Sequence, residues 1–217
     1  AATNLLLAGK TVVVGGYGWV GQGLALYCRG FGARVVVVEV DPIRGLEAAA
    51  NGFEVLPMAE AAPIGDVFVT GTGSIGVLRR EHFAKMKDCA LLANAGNYAH
   101  EIDVPALASL AVEVSEARRH VTEYVLSDGR RIHLLAHGAL VNIAASDGHP
   151  VEIMDLSFSV QMLSVHYLAG HAGDLPRGVH PLPAEIDDAI ARARLDQLGM
   201  HLEEPTPEQL AYTRSWR

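Results

Sequence analysis

The chain has 217 residues, a formal net charge of −8 and apolar residues at half of its positions. That is enough for one sizeable domain with its own core plus an extension. The acidic balance argues against nucleic acid or an anionic membrane surface as a partner. No apolar run approaches the ~18 residues that span a bilayer. The first ten residues, AATNLLLAGK, lack the basic start and long apolar centre of a signal peptide. Two cysteines, Cys28 and Cys89, make no metal or disulfide framework. Both read as small core residues whose free thiols suit a reducing cytoplasm.

In chain order, residues 1–10 read as a connector. An apolar strand over 11–14 leads into glycines at Gly16, Gly18 and Gly21, followed by a helix over 19–31 and a second apolar strand over 34–38 that closes on Glu39. Strand, glycine turn, helix, strand and an acid about 20 residues on form the dinucleotide-binding arrangement. Gly16 permits the tight turn, Gly18 lets backbone approach a pyrophosphate, and Gly21 lets the helix pack on the sheet. The helix N-terminus offers unpaired N–H groups and a partial positive charge to phosphates. Glu39 would accept hydrogen bonds from the adenosine ribose hydroxyls and repel a 2′-phosphate, so NAD is favoured over NADP.

A helix is expected over 42–51, with Pro42 in its first turn. A short strand over 54–56, a helical turn over 59–62 and a fourth strand over 66–70 follow. That strand ends in the glycine-rich loop Gly71-Thr72-Gly73-Ser74. A helix over 79–87 and a fifth strand over 89–93 lead to Asn94-Ala95-Gly96-Asn97. Strands at 121–126 and 131–135 flank Ser127-Asp128-Gly129-Arg130, a hairpin signal. One more apolar strand is expected over 138–143. Asp147-Gly148-His149-Pro150 breaks the pattern and separates a domain over 11–148 from a C-terminal helical extension over 149–217. The extension reads as helices over 151–169 and 183–199, with a short helix start at Thr206-Pro207-Glu208. The fold class is α/β: a Rossmann-like, doubly wound parallel sheet with a C-terminal helical extension. Ligands of such sheets sit beyond the carboxyl ends of the strands, which makes the loops at 71–74 and 94–101 part of the site wall.

The motifs Ala2-Thr3-Asn4, Ala8-Gly9-Lys10-Thr11-Val12-Val13-Val14, Gly16-Tyr17-Gly18-Trp19, Glu39-Val40-Asp41-Pro42, Glu81-His82-Phe83, Met86-Lys87-Asp88, Ala93-Asn94-Ala95-Gly96, Glu101-Ile102-Asp103, Val141-Asn142, Gly148-His149-Pro150 and Ser157-Phe158 run almost end to end. On these residues the chain resembles the cofactor-binding half of S-adenosylhomocysteine hydrolase (adenosylhomocysteinase). The resemblance implies a tightly held NAD and an enzyme that reversibly oxidises the 3′-hydroxyl of an adenosyl ribose. Oxidation acidifies the C4′ proton, the 5′-thioether leaves by elimination, water adds, and the ketone is reduced again. The resemblance also implies a substrate domain N-terminal to the segment present here, either as a separate chain or as the rest of a longer one. Where the family reads Gly-His-Phe-Asp, this chain reads Gly96-Asn97-Tyr98-Ala99. Ser74, Gly76 and Val160 also depart from the family pattern.

Gly16, Gly18, Trp19, Val20, Gly21, Glu39, Thr70, Gly71, Thr72, Gly73, Asn94, Ala95, Gly96, Asn142 and His149 are the expected cofactor-binding residues. Asn142 is read as ending a strand, with its amide available to the nicotinamide carboxamide; the plain alternative is a turn-capping Asn. His149 matches a family histidine near the nicotinamide, although a histidine before proline is also an ordinary turn residue. Asn97 and His149 are the only candidates for the catalytic position, and Asn97 cannot act as a base near neutral pH. His100 reads as a surface histidine, and no metal site is read from the ten histidines. A nucleoside substrate is compatible with this reading; a stand-alone NAD-binding protein with a repurposed redox or binding role is the alternative. The helix over 151–169 carries Ile153, Leu156, Val160, Leu163 and Tyr167 on one face and Met154, Phe158, Met162, Val165 and Leu168 on another. Two apolar stripes need two partners, so a homo-oligomer or a separate substrate-domain chain is expected.

Overall fold

The computed structural model describes residues 3–215. Ala2 of the first motif and the tail residues Trp216 and Arg217 lie outside the described residues. The chain divides into two compact units, 1–148 and 149–217.

The first unit is built on an eight-stranded sheet: β1 (Thr11–Gly15), β2 (Arg34–Val38), β3 (Glu54–Val55), β4 (Val67–Thr70), β5 (Ala90–Asn94), β6 (Ala111–Arg118), β7 (Val121–Leu126) and β8 (Arg131–Leu135), in the order β3-β2-β1-β4-β5-β8-β7-β6. From β3 to β8 the strands run parallel; β7 is antiparallel to both β8 and β6. Strand β1 is buried throughout, which accounts for its unbroken apolar run. Alternation still sorts its side chains. Val12 and Val14 join one core with Val35, Val37 and Ala25. Val13 joins the other with Val36, Phe68 and Leu92. The chain winds from β1 towards β2 and β3, then returns to place β4 on the other side, so the strand order reverses at β1 and β4.

Helix α1 (Trp19–Gly30) follows the glycine turn, and α2 (Pro42–Ala50) is capped by Asp41, whose carboxylate accepts from Ile43 N at 2.8 Å. Helices α3 (Met58–Ala61), α4 (Arg80–Phe83) and α5 (Val104–Leu110) follow. The sequence pattern misses α5 despite its N-cap, Asp103, which accepts from Ala106 N at 3.0 Å, and its early Pro105.

Three expectations are corrected. The helix expected over 79–87 stops at Phe83. The guanidinium of Arg130, from the β7–β8 hairpin, donates to Ala84 O at 2.9 Å and to Met86 O. The chain after α4 therefore gives its carbonyls to a distant side chain instead of to another helical turn. The strand expected over 138–143 is absent. Ala136, His137 and Gly138 all take left-handed φ (50°, 52° and 83°), which turns the chain out of the sheet. One bridge, Asn94 to Leu140, precedes a helical turn, α6 (Val141–Ala144), so Asn142 lies in a helix and ends no strand. Cys89 is exposed, with φ 63°, and precedes β5; only Cys28 is buried. The Sγ of Cys89 accepts from Arg131 at 3.0 Å.

In the second unit, α7 (Val151–His171) packs with α8 (Ala184–Gln197). A short α9 (Pro207–Arg214) starts in a capping box: Thr206 Oγ1 accepts from Gln209 N and Gln209 Oε1 from Thr206 N.

Removing the Arg130 side chain strands the part-buried carbonyls of Phe83 and Met86 and the exposed one of Ala84. Arg130→Ala is expected to destabilise the first unit by about 1–3 kcal/mol. Urea unfolding checks it: the midpoint falls with an unchanged slope, and a shift below ~0.5 kcal/mol would show that water replaces the guanidinium freely.

Candidate functional site: a cleft at the strand-order reversal

At the carboxyl ends of β1, β2 and β4 lies a cleft of about 590 Å³. Its floor is the glycine turn. Gly16 has φ 93°, and its N–H donates to Val38 O at 2.8 Å, tying the turn to β2. A Cβ on Gly21 would lie 1.9 Å from Gly16 O, so only glycine lets α1 start this close to the turn. The first turn of α1 has no side-chain cap, and Gly18 at its N-cap lines the cleft. That leaves N–H groups facing a glycine-lined opening, an arrangement suited to a pyrophosphate.

Glu39 stands at the β2 end. Its Oε2 accepts from Tyr17 N at 2.6 Å, and its Oε1 accepts from Val40 N at 2.6 Å and Asp41 N at 3.0 Å. Burial alone would raise its carboxyl; the three N–H groups and the Arg44 guanidinium outweigh that and hold it below the usual carboxylate range. The stability gained from these bonds is therefore complete above the usual carboxylate range and is lost as pH falls through the lowered value. The same carboxylate thus fixes the glycine turn and presents its charge to the cleft.

The opposite wall is the loop after β4. Gly71, Thr72, Ser74, Ile75, Gly76 and Val77 line it, and Arg79 and His82 stand at its end. His82 is buried, and its Nδ1 accepts from Arg79 N at 3.1 Å, which puts the ring proton on Nε2. Burial pushes its pKa down.

Five of the expected cofactor residues line the cleft: Gly16, Gly18, Glu39, Gly71 and Thr72. Several others lie behind it. Thr70 is buried, and Thr70 O accepts from Ala95 N at 2.7 Å. Asn94 is buried with its amide fully engaged: Oδ1 accepts from Gly96 N at 2.7 Å, while Nδ2 donates to Tyr98 O at 2.8 Å and Gly138 O at 2.9 Å. It organises the loops around β5. Val20 meets Gly71, where a Cβ would lie 3.2 Å from Val20 Cγ1, and the side chain of Trp19 is 91% exposed. The N–H of Gly73 is taken by Glu101 at 2.8 Å. Asn97 and His100 are exposed. His149 opens the second unit and is exposed. Val38, Arg44, Met58, Ile75 and Arg79 also line the cleft without a motif to mark them: Val38 ends β2, and the others belong to the segments that follow β2, β3 and β4.

Asn142 is the informative case. Its Oδ1 is buried without a hydrogen-bond partner among the described residues. An orphaned buried acceptor costs about 1–3 kcal/mol and calls for a reason. An acceptor held for a ligand N–H is one such reason. Separately, the glycine cradle beside Glu39 fits the phosphates and ribose of a dinucleotide. His133 and His137, four residues apart as ligand pairs often are, are engaged elsewhere: His133 with Glu123 at 2.9 Å, His137 with Thr122 at 3.1 Å.

Residues 1–148 match the model of the S-adenosyl-L-homocysteine hydrolase NAD-binding domain. The chain belongs to this family. NAD is accordingly its cofactor. Adenosylhomocysteinase from Thermococcus kodakarensis is 56% identical over 214 residues, 99% of this chain and 51% of the relative. The enzymes of that name from Aquifex aeolicus and Pyrococcus abyssi are each 56% identical, over 99% and 100% of this chain and 51% of their own lengths. The chain thus spans about half the length of the curated relatives it matches. Among solved structures, D-2-hydroxyisocaproate dehydrogenase overlaps 48% of this chain and 32% of its own at 26% identity, with a TM-score of 0.43, too slight a likeness to add to the argument.

Glu39 generates the cofactor-choice prediction. NAD is expected to bind at least about tenfold, ~1.4 kcal/mol, more tightly than NADP. Calorimetric titration of both would check it, and comparable affinities would remove the role given to Glu39.

Proposed function

We propose that this chain is the cofactor half of an adenosylhomocysteinase-like enzyme that reversibly oxidises the 3′-hydroxyl of an adenosyl ribose and so cleaves S-adenosylhomocysteine to adenosine and homocysteine. What supports this reading is a glycine-floored cleft at the carboxyl ends of β1, β2 and β4, together with relatives named adenosylhomocysteinase that align over essentially the whole chain. When bound, NAD supplies the acceptor for the hydride that leaves the ribose carbon. The chain's own residues hold and orient. The glycine turn and the α1 N-terminus take the pyrophosphate, Glu39 takes the adenosine ribose hydroxyls, and Asn142 Oδ1 accepts from the carboxamide N–H. Asn97, where the resemblance puts a histidine, donates and accepts hydrogen bonds but moves no proton near neutral pH. Together with Ala99 in the place of the family aspartate, it favours the second reading, an NAD-binding protein that is not a hydrolase by itself. A cytoplasmic setting fits the two cysteines, both free.

The 217-residue chain by itself is expected to release no adenosine from S-adenosylhomocysteine, because acid–base groups and substrate positioning supply most of such a rate. Steady release above a no-protein control by the homogeneous 217-residue chain would contradict this. Adding adenosine to the NAD-loaded chain and following the reduced-nicotinamide absorbance reports separately on the redox half.

The same reading extends to assembly. Phe158 and Met162 on α7 are 58% and 72% exposed, and Val165 and Leu168 are exposed beside them. Burying several such side chains is worth roughly 1.5–3 kcal/mol each before the costs of association. The chain is therefore expected to form a homo-oligomer or to bind a substrate-domain chain through α7. Phe158→Asp is expected to break that assembly with NAD affinity nearly unchanged. A monodisperse monomer of the unmodified chain by sedimentation, with no partner, would count against an interface on α7.

A further inference from the structure

The cleft wall over residues 71–77 has no helix or strand of its own, yet its shape decides whether a dinucleotide fits. What holds it is Glu101, the only acidic residue among the buried polar side chains of the described residues, at 0% exposure. Its Oε2 accepts from Thr72 N at 3.0 Å and Thr72 Oγ1 at 3.0 Å, and its Oε1 accepts from Gly73 N at 2.8 Å. Its backbone carbonyl accepts from Val77 N at 2.8 Å and Leu78 N at 3.0 Å, and His100 O accepts from Gly76 N at 2.8 Å. The far end of this strap is set in the core through the bridge between Leu78 and Ile102, both buried. Gly96 keeps the space open, since a Cβ there would lie 1.8 Å from Glu101 Oε1. Thr72 in turn touches the glycine turn: a Cβ on Gly16 would lie 3.0 Å from Thr72 Cγ2.

We propose that Glu101 is a positioning residue for NAD: its buried carboxylate clamps Thr72 and Gly73 so that the wall of the cleft is preformed at the distance from the glycine turn that a dinucleotide needs. The proposal rests on NAD occupying this cleft. A carboxylate suits the task because three donors converge on two oxygens, and it has acceptors on both. Glutamine has one acceptor oxygen and would set an NH₂ group against an N–H. Without the clamp the wall samples other shapes, and NAD must order it on binding, which lowers affinity.

The test is calorimetric titration of the 217-residue chain and its Glu101→Gln variant with NAD, well below the melting temperature, with hydrogen exchange read at Thr72 and Gly73. Glu101→Gln is expected to raise the NAD Kd tenfold or more and to speed exchange at both amides. A lower melting temperature with a Kd within threefold of the unmodified chain would make Glu101 a merely structural residue and overturn the proposal. Glu39→Gln is titrated alongside. If it weakens NAD and Glu101→Gln does not, the clamp falls and the cleft stands; if neither does, the cleft assignment falls first. Should Glu101→Gln not fold, Thr72→Val removes one of the three donors, and faster exchange at Gly73 with weaker NAD binding is expected. Unchanged exchange and affinity there would overturn the clamp as well.

Discussion

The first helix leaves the sheet through a point with no room for a side chain. With Gly16 O only 1.9 Å from where a Cβ on Gly21 would stand, α1 rests directly on the glycine turn. From that contact follow the direction of α1 and the place of its uncapped N–H groups. Glu39 then locks the turn from the β2 side through Tyr17 N, and the loop after β4 closes from the other. Each partner satisfies backbone groups that the glycines leave without intrinsic structure. The site is thus a set of backbone donors held at a fixed spacing, with charge supplied at one end.

Much of the polar chemistry near the cleft serves that spacing and touches no ligand. Asn94 spends both ends of its amide on the loops around β5, and Glu101 spends both oxygens on the wall. Asn142 differs: its buried Oδ1 has no hydrogen-bond partner among the described residues.

The β1–α1–β2 unit was legible because its signals are local: apolar runs, glycines at fixed offsets and an acid at the strand end. The hairpin at 127–130 was legible for the same reason. The shortening of the helix at Phe83 was not, because its cause is Arg130, far along the chain. The turn at 136–138 was hidden because two non-glycine residues take left-handed φ there, against their local preference, and Gly138 O is received by Asn94. Of the candidate site, the glycine turn, Glu39 and Gly71-Thr72 were readable, while Arg44, Ile75 and Arg79 reach the cleft only by folding. The resemblance brought Asn142 forward; that its oxygen has no partner among the described residues belongs to packing alone.

The central claim is that NAD lies against the glycine turn and the loop after β4. Hydrogen exchange of the chain with and without saturating NAD tests it most directly. The account predicts protection of the amides at 16–21 and 71–77, spreading to the turn that holds Asn142. Protection confined to residues 149–217, or an unprotected glycine turn at saturation, would contradict it.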